Sequence, residues 1–206
     1  MSEAQILQQI STAADTYDDW KRLELFVGDS SEVGLHIACM VEPFLDYILE
    51  GKKTIESRFS KPLIPPYQRV TVGDVVLLKS GPIVASFRTT SVDFIELNGR
   101  EFNRLIKDYS AALCANEEFW KVRADKRYAT LLGISDVQQL TPLRVNKHDR
   151  RGWMVLREPP NNANPPTGQL SGIKVDRRTR NIQPSLDFPE VETCADGNFF
   201  RSTGDR

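Results

Sequence analysis

The chain has 206 residues, 40% hydrophobic and 27% charged, which excludes a wholly disordered chain and allows one ordinary core with appendages. Its formal net charge of −1 favours neither a nucleic-acid ligand nor any other, but the charge is unevenly spread. Residues 1–33 carry seven acids and two bases, whereas residues 141–157 carry five bases and the single acid Asp149.

Residues 3–26 read as helix. Ile6, Ile10, Ala13 and Ala14 fall at helical spacing, and Trp20, Leu23 and Phe26 resume the stripe after a break near Tyr17–Asp18. The opening MSEAQILQQI has no basic stretch followed by an apolar run, so no secretory leader is expected. A loop at 28–31 precedes a strand over 34–40, alternating around Leu35, Ile37 and Cys39. Glu42-Pro43 opens a short helix whose buried face is Phe44, Leu45, Ile48 and Leu49, with Gly51 as its stop. A strand over 54–59 follows, then a proline-rich loop through Pro65-Pro66 that cannot pair regularly. Val70–Val72 leads to a Gly73-Asp74 turn and a buried strand over 75–79. Ser80-Gly81-Pro82 turns the chain into a long β-branched strand over 83–94.

Residues 96–106 and 116–123 read as helices. Extended segments are expected at 137–145 and 153–156, and at 128–132, where the pattern equally fits a helix. Past Glu158 the composition turns to Pro, Asn and Gly, and residues 167–206 hold few large apolar side chains. Three segments are therefore expected: a helical N-terminal extension (1–33), a β-rich domain (34–158) and a Pro-rich linker with an extended tail (159–206). No apolar run has the roughly 20 residues of a membrane helix, and a cytoplasmic setting is expected. The cysteines Cys39, Cys114 and Cys194 are too scattered for a disulfide framework or a zinc site, and no metal or cofactor is expected.

The most informative stretch is Glu42-Pro-Phe-Leu-Asp-Tyr-Ile-Leu-Glu-Gly51-Lys-Lys53-Thr-Ile-Glu56-Ser-Arg58. Strand periodicity puts Glu56 and Arg58 on one face and Ile55 on the other, with Lys53 at the helix-to-strand corner. A carboxylate between two cations stays ionised and can orient an arginine toward a phosphate or a base edge. The same three side chains would equally make a salt bridge tying the helix end to the strand.

The helix opened by proline, followed by G-x-K-x-x-E-x-R entering a strand, resembles the ASCH domain pattern. Gly51, Lys53, Glu56 and Arg58 fill its positions. Gly73-Asp74 before a buried strand and the Lys147–Trp153 stretch before the last strand add to the resemblance, which spans about 35–156. It implies an α+β fold, a small PUA-like β-barrel with flanking helices, and a cleft that takes RNA or a nucleotide-like ligand. Lys53, Glu56 and Arg58 would line that cleft, with Arg88, Lys147, Arg150 and Arg151 as further ligand contacts.

The alternative is a small hydrolase acting on modified nucleosides or RNA, with Lys53 and Glu56 as the catalytic pair. One amidohydrolase branch of ASCH-like proteins has threonine as presumed nucleophile where this sequence has Glu56, so that role does not carry over. A third reading makes the domain a scaffold that docks a protein through its acidic N-terminal helix or its tail. Of the remaining candidates, Trp120 and Trp153 are expected in the core, Tyr67 is expected exposed for stacking, and His36 is expected to be hydrogen-bonded within a strand.

Overall fold

Five strands of mostly apolar sequence and one mixed strand build a single six-stranded sheet in the order β2-β5-β4-β3-β1-β6. In the computed structural model, residues 2–27, 33–145 and 151–158 are described. The strands are β1 (Leu35–Cys39), β2 (Ile55–Ser60), β3 (Val75–Lys79), β4 (Ile83–Glu96), β5 (Tyr128–Leu143) and β6 (Trp153–Arg157). Only β1 and β3 run parallel; their neighbours pair antiparallel. A parallel pair needs a crossover. Here the crossover carries α3 (Phe44–Leu49) and β2, and so places the G-x-K-x-x-E-x-R corner at one margin of the sheet.

Both faces of the sheet centre are covered. One face holds Leu35, Ile37, Val75 and Leu77 against the N-terminal helices. The other holds Ala38, Val76, Leu78, Phe87 and Leu132 with Leu45 and Ile48 of α3. The simple alternation expected for 34–40 is therefore replaced by burial on both sides, because helices lie where solvent was expected.

The N-terminal helices are α1 (Glu3–Thr16) and α2 (Asp18–Val27), broken at Tyr17, whose backbone is extended. Ser2 and Gln5 form a capping box at the start. Ile6, Ile10, Ala13, Ala14, Trp20 and Leu23 all join the sheet's core. Trp20 is fully buried and donates its indole N–H to Thr141 O at 2.8 Å. The Asp19 carboxylate accepts the N–H of Thr141 and of Trp20, which fastens α2 to β5. Burying a side chain of this size contributes about 2–3 kcal/mol.

Two readings of element length change. The segments at 128–132 and 137–145 are one strand, β5, which bends through register shifts against β4 and through Asp136 at φ 48°. Gly133 is obligatory in that bend, since a Cβ there would meet Thr90 Oγ1 at 2.4 Å. The helix expected over 96–106 begins later and runs further, as α4 (Gly99–Leu113). Asn98 caps it, and Leu105 and Leu113 continue the buried stripe. Asn116 caps α5 (Glu117–Lys121). These two helices cover the β2–β5 end of the sheet through Leu105, Leu113, Phe119 and Trp120. Pro43 sits at the cap of α3, one place before its first turn. Among the described residues no helix is long and apolar enough to cross a membrane.

Candidate functional site

The site forms where α3 hands over to β2. Gly51, at φ 72°, ends the helix in the left-handed conformation that glycine adopts without strain. Lys53 N–H then bonds Tyr47 O at 2.9 Å, and Thr54 N–H bonds Ala112 O at 3.0 Å, which pins the corner between α3 and α4. This fixes the start of β2, so Glu56 and Arg58 project from one face as the period of two requires.

Lys53 and Glu56 are both nearly inaccessible, at 2% and 4% exposure. Lys53 Nζ lies 3.5 Å from Glu56 Oε2 and donates to Leu113 O at 3.2 Å. It also sits 5.4 Å from the centre of the Phe44 ring. Arg58 Nε lies 2.9 Å from the other carboxylate oxygen, Oε1. Glu56 therefore has one cation against each oxygen. Burial pushes the Lys53 pKa below its usual value, and the Glu56 carboxylate opposes that shift.

Arg58 does a second job. Its Nη1 donates to Cys39 O at 3.1 Å and Gly152 O at 3.2 Å, and Nη2 lies 3.2 Å from Met40 Sδ. Its guanidinium carbon also stands 5.4 Å from the centre of the Trp153 ring. The first and last strands in the sheet order, β2 and β6, are thus linked across the open seam by one side chain. A planar fork of donors suits this span, and a lysine could not make it.

These residues face a cleft of about 320 Å³, at the lower end of the size of small-molecule sites. Its walls include Val41, Phe44, Phe59, Phe119 and Val122, and its mouth carries Arg123 and Lys126. Arg123 stacks on Phe119 at 3.6 Å and donates to Phe119 O at 2.8 Å. Burial depresses the Arg123 pKa, while Glu56 acts in the opposite direction. The lining of the cleft thus holds four cations and one carboxylate, and Lys126 also pairs with Asp125 at 2.8 Å.

Lys53, Glu56 and Arg58 come together as their spacing predicts, and the ion pairs of the salt-bridge reading exist within the same cleft. Arg88 does not join them. It lines a separate pocket with Leu23, Asp136 and Val137. Arg151 is exposed and lies in a groove with Arg69, Arg157 and Glu158, while its carbonyl stands 3.8 Å from Cys39 Sγ at the cleft's edge. Lys147 and Arg150 lie outside the described residues.

Arg123, Lys126 and Phe119 are the contributors that sequence reasoning passed over. The run Lys121-Val-Arg123-Ala-Asp-Lys126-Arg127 after a short helix was the signal available. Tyr67 is a correction: it packs on Tyr128 at 5.1 Å and Phe94 at 5.4 Å, because the proline-rich loop folds back over β4 and β5. Trp120 and Trp153 are core residues, as expected. His36 is fully buried, and its Nε2 lies 3.0 Å from Asp74 Oδ2. Burial pushes the Asp74 carboxyl up, but bonds from His36, Thr71 and Gly34 outweigh it and hold the carboxyl below the usual value.

No family profile matches this sequence, and no curated protein matches it either. Among solved structures, the crystal structure of ASCH from Zymomonas mobilis is 16% identical with a TM-score of 0.48. The match covers 60% of this chain and 87% of that one. The chain is similar to ASCH domain structures. A mutant of the same Zymomonas ASCH protein gives the same TM-score and is covered over 90% of its length. A hypothetical protein of known structure matches at 16% identity and a TM-score of 0.38, over 50% of this chain and 97% of that one. At this identity no residue role passes from the ASCH structures to this chain.

Proposed function

We propose that the domain binds RNA or a nucleotide as a PUA-like module, with the ligand in the Lys53–Glu56–Arg58 cleft. The observation that carries this reading is the excess of cations there. Lys53 and Arg58 share the single carboxylate of Glu56, Arg123 lies within its field, and Lys126 shares Asp125 with Lys61, so cations outnumber acids. Phosphate is the natural partner of such a mouth, and Phe44, Phe59 and Phe119 supply apolar wall for a base. Arg151 and, outside the described residues, Lys147 and Arg150 would extend the contact along a bound strand. On this reading, residues 34–158 form the binding domain, 1–33 its helical extension and 159–206 a linker and tail.

The hydrolase alternative needs a Glu56 oxygen turned toward an attacking water. Each oxygen instead has a cation within ion-pair distance, which favours a structural and electrostatic role for the carboxylate. The test is binding of a short single-stranded RNA and of UMP across a salt series. Affinity falling steeply with salt is expected, since each neutralised phosphate releases counterions. Binding that is flat with salt, or absent at low salt, would remove this reading.

A further inference from the structure

The cleft contains a sheet edge. Among the described residues, β2 is the terminal strand of the sheet and pairs only with β5. Ile134 N–H bonds Thr54 O at 3.0 Å, and Arg127 N–H bonds Ser60 O at 2.9 Å, so the even positions turn their carbonyls toward β5. In an antiparallel ladder the direction alternates with each residue. The N–H and C=O of Ser57 therefore point away from β5, on the side where no further strand lies among the described residues. Ser57 lines the cleft between Glu56 and Arg58. Beside it, the Arg58 side chain reaches from β2 to Cys39 O and Gly152 O.

An extended residue offers a donor and an acceptor side by side. That pair complements the edge of a nucleobase, which also carries adjacent donor and acceptor groups. Phe44 and Phe59 stand in the same cleft wall as apolar surface for the ring. We propose that the free edge of β2 at Ser57 reads the pairing edge of a nucleobase, while Arg123 and Lys126 hold its phosphate. This rests on the nucleotide-binding reading above and adds the means by which a base is told from a bare sugar phosphate.

The experiment titrates the full chain at low salt with UMP, 3-methyluridine monophosphate and ribose 5-phosphate. The methyl group sits on the pairing edge and leaves the phosphate, sugar and ring face in place. UMP is expected to bind at least tenfold more tightly than either comparison ligand. Ser57→Pro removes the N–H, and proline is tolerated on an edge strand when that N–H is outside the ladder. S57P is expected to bind UMP no better than ribose 5-phosphate, and S57A is expected to keep the preference. The comparison of UMP with its methylated form uses the unaltered protein, so it decides the matter even if S57P does not fold.

Equal binding of UMP and 3-methyluridine monophosphate, with salt-sensitive binding of both, would overturn the base-edge proposal and leave the nucleotide reading intact. Absence of binding by all three ligands would overturn both. A six-residue oligouridylate run beside UMP separates the two sources of the same chemistry. Tighter binding of the oligomer at equal nucleotide concentration assigns the base to an RNA strand. Equal binding assigns it to a free nucleotide, and either result supports the edge reading provided methylation weakens it.

Discussion

Replacing Glu56 by alanine removes the counter-charge from two cations at once. Lys53 is the sensitive one, because its side chain is 2% exposed and has no access to water as a substitute. At an effective dielectric of about 20, a 3.5 Å pair is worth roughly 5 kcal/mol of direct attraction. Part of that is recovered when Lys53 gives up its proton, which the lowered pKa already favours. Breaking a buried pair from one side costs about 3–5 kcal/mol in practice. Arg58 adds less, since its side chain is 21% exposed and keeps its bonds to Cys39 O and Gly152 O. E56A is therefore expected to lose about 3–5 kcal/mol in urea denaturation, or roughly 10 °C in Tm for a chain of this size. The double variant K53M/E56L, which replaces the pair by apolar side chains, is expected to recover most of the loss. A cost below about 1 kcal/mol for E56A, the value of an exposed pair, would refute the claim that this pair is desolvated.

Further outcomes follow from the same geometry. Arg123→Ala and Lys126→Ala are each expected to lower the salt slope of RNA binding by roughly 0.7, the single-strand value for one phosphate, as read from affinity against salt concentration. Asp74 has a folded pKa below its unfolded value, so its contribution to stability is complete above about pH 5 and is lost as pH falls through the folded value. The stability gap between the unaltered chain and D74N should then shrink between pH 5 and pH 2 in urea melts. Gly34→Ala would set a Cβ 2.7 Å from the Asp74 carboxylate, so a loss of about 2 kcal/mol or more is expected in the same assay.

The parts of the site that sequence showed are those governed by local periodicity. A helix stop at Gly51 and the period of two along β2 are enough to put Lys53, Glu56 and Arg58 in one place. The parts it hid depend on distant pairing. Arg123 and Lys126 reach the mouth only because α5 packs Phe119 and Trp120 against Phe59 of β2. The carbonyls that hold Arg58 come from β1 and from the residue before β6. Arg88 failed for a related reason. Register shifts between β4 and β5 around Ser86 and Arg88 break the strict alternation from which a strand face is counted. Both covers on β1 were equally out of reach, since an amphipathic helix pair does not announce which face of a sheet it will lie on.

These two classes of residue divide the work of the cleft. A threonine at position 56 would leave Lys53 buried with no counter-charge and Arg58 without the carboxylate 2.9 Å from its Nε, so the carboxylate is what allows Lys53 to sit inside the protein. The motif sets two cations against one carboxylate, and burial lowers the Lys53 pKa while Glu56 opposes that shift. It lines the cleft and ties β2 to Cys39 and Gly152. Arg123 and Lys126 add two further cations to the lining, Arg123 within the field of Glu56 and Lys126 paired with Asp125 at 2.8 Å. Removing Lys126, whose ion pair among the described residues is with Asp125, should therefore weaken salt-sensitive binding with little loss of stability, whereas removing Glu56 should lower stability first.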